Sequence, residues 1–270
     1  MSPARFCLYF VGAKAILNLG YWAVNRQTPL YTPESAPFVG VCLAAYVIDG
    51  FAWLLYFQAI VHGPIAIVGT LSAAYPAITV LLARIFLDEM LSGSQYAGVA
   101  LVIAGCIGLS YARSPQGNAP TSARWIPLSA VALVLWGASS TMLKAAYGLP
   151  GADEVNVLIH NLAGALLTLG VYGLLRGRAA ATERRDWARS FLPMAMLAGG
   201  DIGFILATRF GPVSLTTPLS GAYPVITVLF ARFVLDERIS VRQAICISSI
   251  LGGMALIPGA GSPEILATPP

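Results

Sequence analysis

Leu71-Ser72-Ala73-Ala74-Tyr75-Pro76-Ala77-Ile78-Thr79-Val80-Leu81-Leu82-Ala83-Arg84 runs into Leu87-Asp88-Glu89. Leu219-Ser220-Gly221-Ala222-Tyr223-Pro224-Val225-Ile226-Thr227-Val228-Leu229-Phe230-Ala231-Arg232 runs into Leu235-Asp236-Glu237 in the same way. Each shared position returns 148 residues later without a gap. The match reaches back to Gly63-Pro64 and Gly211-Pro212. It reaches forward to Ser92, Gln95 and Gly105 against Ser240, Gln243 and Gly253. The chain is therefore two copies of one unit, a pattern that outranks any local reading.

Each copy carries an uncharged run, Pro64 to Ala83 and Pro212 to Ala231. About 20 apolar residues in a helix cover a hydrocarbon core of roughly 30 Å. A proline in the middle of each run removes a backbone hydrogen bond and frees the carbonyl four residues earlier, at Ser72 and Ser220. Ser72, Tyr75, Pro76 and Thr79 share one helix face, as do Ser220, Tyr223, Pro224 and Thr227, with Thr216 one turn further. Lipid cannot solvate such a stripe, so it turns to the bundle interior or a water-filled path. The plainer alternative is that these hydroxyls cap the freed carbonyls and join helices, and the two readings are compatible.

Composition points the same way. Hydrophobic residues make up 57% of the 270 residues and charged residues only 10%, with a mean hydropathy of +0.74. Soluble domains carry about 25% charged residues, so the expected class is an integral membrane protein. The net charge of +4 belongs to loops and implies no nucleic-acid partner. Cys7, Cys42, Cys106 and Cys246 lie in apolar runs without metal-ligand spacing and read as small buried hydrophobes. Lys14 and Asn18 interrupt the N-terminal apolar run, which argues for a retained helix over a signal peptide.

The expected fold is all-α, a polytopic membrane bundle of about nine transmembrane helices in two inverted repeats, four plus five. The expected spans are Arg5 to Val24, Phe38 to Val61, Pro64 to Phe86, Ser92 to Tyr111, Trp125 to Tyr147, Val155 to Leu175, Phe191 to Phe210, Pro212 to Leu235 and Ser240 to Leu256. Hydrophilic loops are expected at Asn25 to Pro37 and Arg176 to Arg189. Ser92-Gln95 and Ser240-Gln243 read as capping boxes. The domain limits are 1–111 for the first repeat, 112–123 for a linker, 124–259 for the second repeat and 260–270 for a disordered tail. Leu17-Asn18-Leu19-Gly20-Tyr21 resembles Leu167-Thr168-Leu169-Gly170-Val171, which pairs the first helix with the second helix of the later copy. The opening helix of the first copy is then missing. An odd number of helices per unit inverts one copy relative to the other. Arg5, Arg113, Arg124, Arg176, Arg178, Arg184, Arg185, Arg189, Arg238 and Arg242 fall on one side, against Arg26, Lys144 and Arg209 on the other. The positive-inside rule thus puts the N-terminus inside and the C-terminus outside.

These features resemble the EamA branch of the drug/metabolite transporter superfamily. The resemblance rests on the two Tyr-Pro-x-x-Thr helices ending in Leu-Asp-Glu and the Ser-x-x-Gln helices that follow. Trp136-Gly137 and Phe57-Gln58-Ala59-Ile60 ahead of Gly63 also carry it. It implies a ten-helix exporter or permease of small metabolites such as amino acids, with a central cavity lined by the first, third and fourth helices of each half. Two features depart from the pattern. One is the missing first helix. The other is the C-terminus, usually cytoplasmic in the family and placed outside by the arginine count.

Asp49 and Asp201 lie about 12 residues into corresponding helices. A charge at that depth costs roughly 2.5–3.5 kcal/mol on insertion scales, so a proton- or cation-binding role is expected, against the plainer one of closing a helix contact. His160 is a third proton-coupling candidate, although an interhelical hydrogen bond would equally account for it. Lys14 and Lys144 read as snorkelling side chains, Lys144 also as a partner for a substrate carboxylate. Arg84 with Asp88 and Arg232 with Asp236 read as i,i+4 pairs, and Glu89 and Glu237 as charges ahead of a helix N-terminus. Trp136, Trp53 and Tyr56 could stack along a cavity or pack within the bundle.

No catalytic motif, cofactor motif or metal-ligand spacing is present, and no Walker loop. The expected activity is therefore secondary-active transport of small metabolites such as amino acids or amines, open to proton coupling, in the cell (plasma or inner) membrane. The alternatives are a lipid-linked or nucleotide-sugar carrier and a non-transporting scaffold subunit. The expected partners are a small-molecule substrate and the lipid bilayer, with homodimerisation open.

Overall fold

The structure, a computed structural model, describes residues 3–63, 68, 74–112, 124–177, 184–222, 225 and 240–257. Among these, the helices are α1 Pro3–Asn25, α2 Ala36–His62, α3 Tyr75–Phe86, α4 Gly93–Ala112, α5 Trp125–Ala146, α6 Glu154–Gly177, α7 Arg184–Phe210, α8 Val213–Ser220 and α9 Val241–Leu256. The expected all-α bundle is what forms. Five helices, α1, α2, α5, α6 and α7 (from Ser190), are long and apolar enough to cross a membrane. Of the expected linker at 112–123, Ala112 closes α4 and the rest lies outside the described residues, as does the expected tail at 260–270.

The repeats are inverted, and the packing shows why. Along α1 the contacts descend while along α6 they ascend. Trp22 Nε1 donates to Asn156 Oδ1 at 2.9 Å, Asn18 Nδ2 to Asn161 Oδ1 at 2.9 Å, and Leu8 lies against Gly173. These helices correspond in the two repeats yet run antiparallel. The pair α4 and α9 shows the same relation at closer quarters. A Cβ on Gly98 would lie 2.7 Å from the carbonyl oxygen of Gly253, and one on Gly105 would lie 2.8 Å from that of Cys246. A shift of 148 exchanges these two contacts. Ser249 Oγ donates to the Leu101 carbonyl at 3.0 Å, and this pair is itself 148 residues apart. The local two-fold axis therefore passes between α4 and α9, where glycine lets two backbones touch.

Several boundaries differ from expectation. α7 starts at Arg184, so the expected loop from Arg176 to Arg189 is partly helix. α6 carries a π-helical turn at Leu166–Gly170. Instead of a helix running unbroken through its proline, α3 starts at Tyr75, with Pro76 in its first turn. Proline is tolerated there because that N–H has no partner in any helix. α8 stops at Ser220 and is followed by a turn at Gly221 and Ala222. Chain breaks at this position mark binding regions in inverted-repeat transporters.

The Leu-Asp-Glu motif also behaves differently. α3 ends at Phe86, and Asp88 adopts a left-handed φ of 52°, a conformation that aspartate tolerates better than most residues. Asp88 therefore lies beyond the helix, out of i,i+4 register with Arg84. Glu89 crosses to the other repeat, where its two carboxylate oxygens accept the Val213 and Ser214 amides at 3.0 Å each. It caps α8, not the helix that follows it. The capping boxes form as expected. Ser92 N donates to Gln95 Oε1 at 2.9 Å and Ser240 N to Gln243 Oε1 at 2.8 Å.

Candidate functional site

A cavity of about 50 Å³ lies between α2, α5, α6 and α7. Close helix crossings bring its walls together. Gly164 on α6 meets the Tyr46 backbone, and Gly50 on α2 takes Thr168 from the π-helical turn. Thr168 Oγ1 in turn donates to the Gly164 carbonyl at 2.7 Å. These contacts set Tyr46 and Asp49 opposite Asn161. From α5 come Ser139 and Ser140, and from α7 Asp201.

The site is held by a group that sequence reasoning placed elsewhere. Lys14 is only 1% exposed, so it does not snorkel. Its Nζ lies 2.7 Å from Asp201 Oδ2, donates to Asn161 Oδ1 at 3.2 Å and stands 4.8 Å from the centroid of the Phe10 ring. Asp201 has that ammonium as its ion-pair partner and, among the described residues, no neutral hydrogen-bond donor on Oδ2. Asn18, one turn along α1, donates to Asn161 Oδ1 and to the Leu158 carbonyl at 3.0 Å. Asn161 thus accepts from both α1 side chains and ties α1 to α6. Burial of the lysine follows from its neighbours: an unpaired ammonium in the bilayer is costly, whereas a carboxylate within 3 Å offsets much of that cost.

Asp49 and Asp201, which the sequence placed at equal depth in two different helices, come together. Both line the cavity, and Lys14 and Asp201 are the charged groups that act on Asp49. One cation against two carboxylates leaves one negative charge uncompensated. The Tyr46 hydroxyl and Asn18 Oδ1 are buried and find no hydrogen-bond partner among the described residues. Buried polar atoms without a partner are rare and mark a place for water, an ion or a ligand.

His160 is not brought into this site. Its Nδ1 pairs with the carbonyl of Asn156 on its own helix at 2.8 Å, and its ring stands edge-on to Phe38. Lys144 is also elsewhere, donating to the Thr208 and Gly211 carbonyls at 3.0 and 2.8 Å at the C-terminal end of α7. It neither snorkels freely nor reaches the cavity. Trp136 is one turn from Ser139 and packs against Trp53 at 5.2 Å, Tyr56 at 5.2 Å and Tyr75 at 6.0 Å. Tyr75 Oη reaches Ser220 Oγ at 3.5 Å across the two repeats, and Pro76 is buried close to Gly221. Thr79, Thr216 and Ser220 bond carbonyls of their own helices, which favours the plainer reading of those hydroxyls. Ser72, Tyr223, Pro224 and Thr227 lie outside the described residues.

The residues that sequence reasoning passed over are Tyr46, Ser139 and Ser140, together with the partnership of Lys14, Asn18 and Asn161. A signal existed for Lys14 and Asn18, which are i,i+4 in a mostly apolar helix. Their partner, 140 or more residues away, had none.

Comparison with known proteins agrees with this architecture. The model of the EamA-like transporter family matches residues 1–111 and again 123–258. No curated protein matches. One solved structure, described only as the crystal structure of a protein, has the same fold. Its TM-score is 0.73 at 21% identity, over 95% of this chain and 87% of that one. With the family model matched twice, over nearly the whole chain, the protein belongs to the EamA-like transporter family and is an integral, multi-pass membrane transporter of the drug/metabolite superfamily.

Proposed function

We propose that this chain is a secondary-active transporter of small metabolites such as amino acids or amines, coupled to protons, in the plasma or inner membrane. The observation that carries the reading is the charged cluster of Lys14, Asp201 and Asp49 around a cavity walled by both repeats. Ionisable groups at membrane depth are expensive and are retained for function, and inverted repeats place their sites at such an interface. Beyond Ser139, Trp136 packs against Tyr75, whose hydroxyl reaches Ser220 of the other repeat at the start of α3 and the end of α8. A partly open cavity of about 50 Å³ suits a water molecule or a small polar headgroup. It gives no support to a nucleotide-sugar carrier.

The test is flux into liposomes carrying the purified chain, with labelled amino acids and amines under an imposed pH gradient. Gradient-driven uptake that is lost on Asp49→Asn supports the reading. A folded protein that moves none of these solutes in either direction would sink it in favour of a scaffold.

A further inference from the structure

We propose that Asp49 is the single coupling carboxylate, binding one proton per cycle, and that Lys14 is a positioning residue that occupies Asp201 and denies it a second. This rests on the transport reading above and adds to it a stoichiometry and a division of labour between two carboxylates that the sequence presents as equivalent.

The geometry separates them. Asp201 holds the Lys14 ammonium at 2.7 Å, and that ammonium is committed on its other sides to Asn161 and the Phe10 ring. A cation so enclosed has little freedom to leave, and its charge cancels that of Asp201. Asp49 has no ion pair of its own among the described residues and opens on the cavity. The groups facing it are Lys14 from α1, Asp201 from α7, Asn161 from α6, Ser139 and Ser140 from α5, and Tyr46 one turn away on α2. The cluster carries one net negative charge with Asp49 ionised and none with Asp49 protonated. In a low-dielectric interior the neutral form is the one that crosses between inward and outward states at least cost. The Tyr46 hydroxyl, one turn from Asp49 on α2, is buried without a partner among the described residues. The step balances: one proton moves from water in the cavity to a carboxylate oxygen of Asp49, and the reverse occurs on the other side.

Charge counting turns this into a test that needs no known substrate. Proton uptake by the purified protein in detergent is titrated between neutral and mildly acidic pH, with the carboxylic-acid infrared band recorded alongside. The parent is expected to take up one proton in the cluster, and Asp49→Asn none. Lys14→Gln leaves two adjacent carboxylates without a cation and is expected to take up two. The pair Lys14→Gln/Asp201→Asn restores the count to one, and it removes both charges together should the single variants fold poorly. A parent count of two, an unchanged count in Asp49→Asn, or a Lys14→Gln count equal to the parent's would each overturn the proposal.

Transport supplies an independent arm. At one proton per neutral solute, an imposed gradient of one pH unit supports about tenfold accumulation, and at two protons about a hundredfold. Accumulation near a hundredfold in the parent refutes the single-proton assignment. If no solute moves but the proton counts hold, the transport reading fails and the protonation site stands.

Discussion

Neighbouring glycines on α9 make opposite predictions. A Cβ at Gly253 would lie 2.6 Å from the Gly98 carbonyl oxygen, 2.9 Å from Val102 Cγ2 and 3.0 Å from Leu101 Cβ. Carbon contacts are comfortable at about 3.5–4.0 Å, so Gly253→Ala forces α4 and α9 apart by roughly 1 Å. Overpacking of that kind costs about 1–3 kcal/mol, offset by about 1 kcal/mol from the better helix propensity of alanine. Gly252 has nothing among the described residues within 4 Å of its Cβ position, so Gly252→Ala keeps the propensity gain of about 0.5–1 kcal/mol and meets no clash there. The two substitutions should differ by roughly 2 kcal/mol, with opposite signs where the clash dominates. Gly98→Ala should behave like Gly253→Ala, since its own Cβ would meet the Gly253 carbonyl. The double variant should cost less than the sum, because one separation relieves both clashes. The assay is equilibrium unfolding in mixed micelles. Equal effects at 252 and 253, or strict additivity of 98 and 253, would refute the inverted glycine crossing.

Three further expectations follow from the described contacts. Lys14→Met leaves Asp201 without its cation and should cost about 3 kcal/mol, the low end for a broken buried pair because the aspartate side chain is 30% exposed. Lys14→Met/Asp201→Asn should recover much of that loss, and a cycle measured by unfolding that gives no coupling would remove the ion pair from the account. Glu89→Gln should cost about 1 kcal/mol at the α8 N-terminus. That would be read as faster hydrogen exchange at the Val213 and Ser214 amides, with unchanged exchange counting against the cross-repeat cap. His160→Gln should leave pH-driven flux intact, since the histidine bonds its own helix; loss of flux without loss of folding would return it to the list of coupling groups.

Much of the architecture was legible in advance because it depends on local and periodic features. Apolar stretches of membrane length announce α1, α2, α5, α6 and α7 whatever their neighbours are. The repeat of Tyr-Pro-x-x-Thr and Leu-Asp-Glu announced two copies, and the depths of Asp49 and Asp201 marked both as buried carboxylates without showing that they meet. Capping boxes at Ser92 and Ser240 involve residues three apart and were readable for the same reason. Failures came where a long-range partner decided the outcome. Lys14 looked like a snorkelling lysine because the alternative needs Asp201 and Asn161, both distant in sequence. Glu89 looked like a cap for the next helix, and only the fold delivers it to Val213 and Ser214.

The sequence by itself determined that this chain lives in a bilayer and consists of two related units of opposite sense, because hydropathy and repetition are properties of the chain in order. Tertiary structure alone decided which of its few charged groups are neutralised and which is left over. A carboxylate at membrane depth has the same sequence signature whether or not an ammonium lies 2.7 Å away. The energy that separates the two cases falls steeply with distance in a medium of low dielectric, and that distance is set by how α1, α2 and α7 pack.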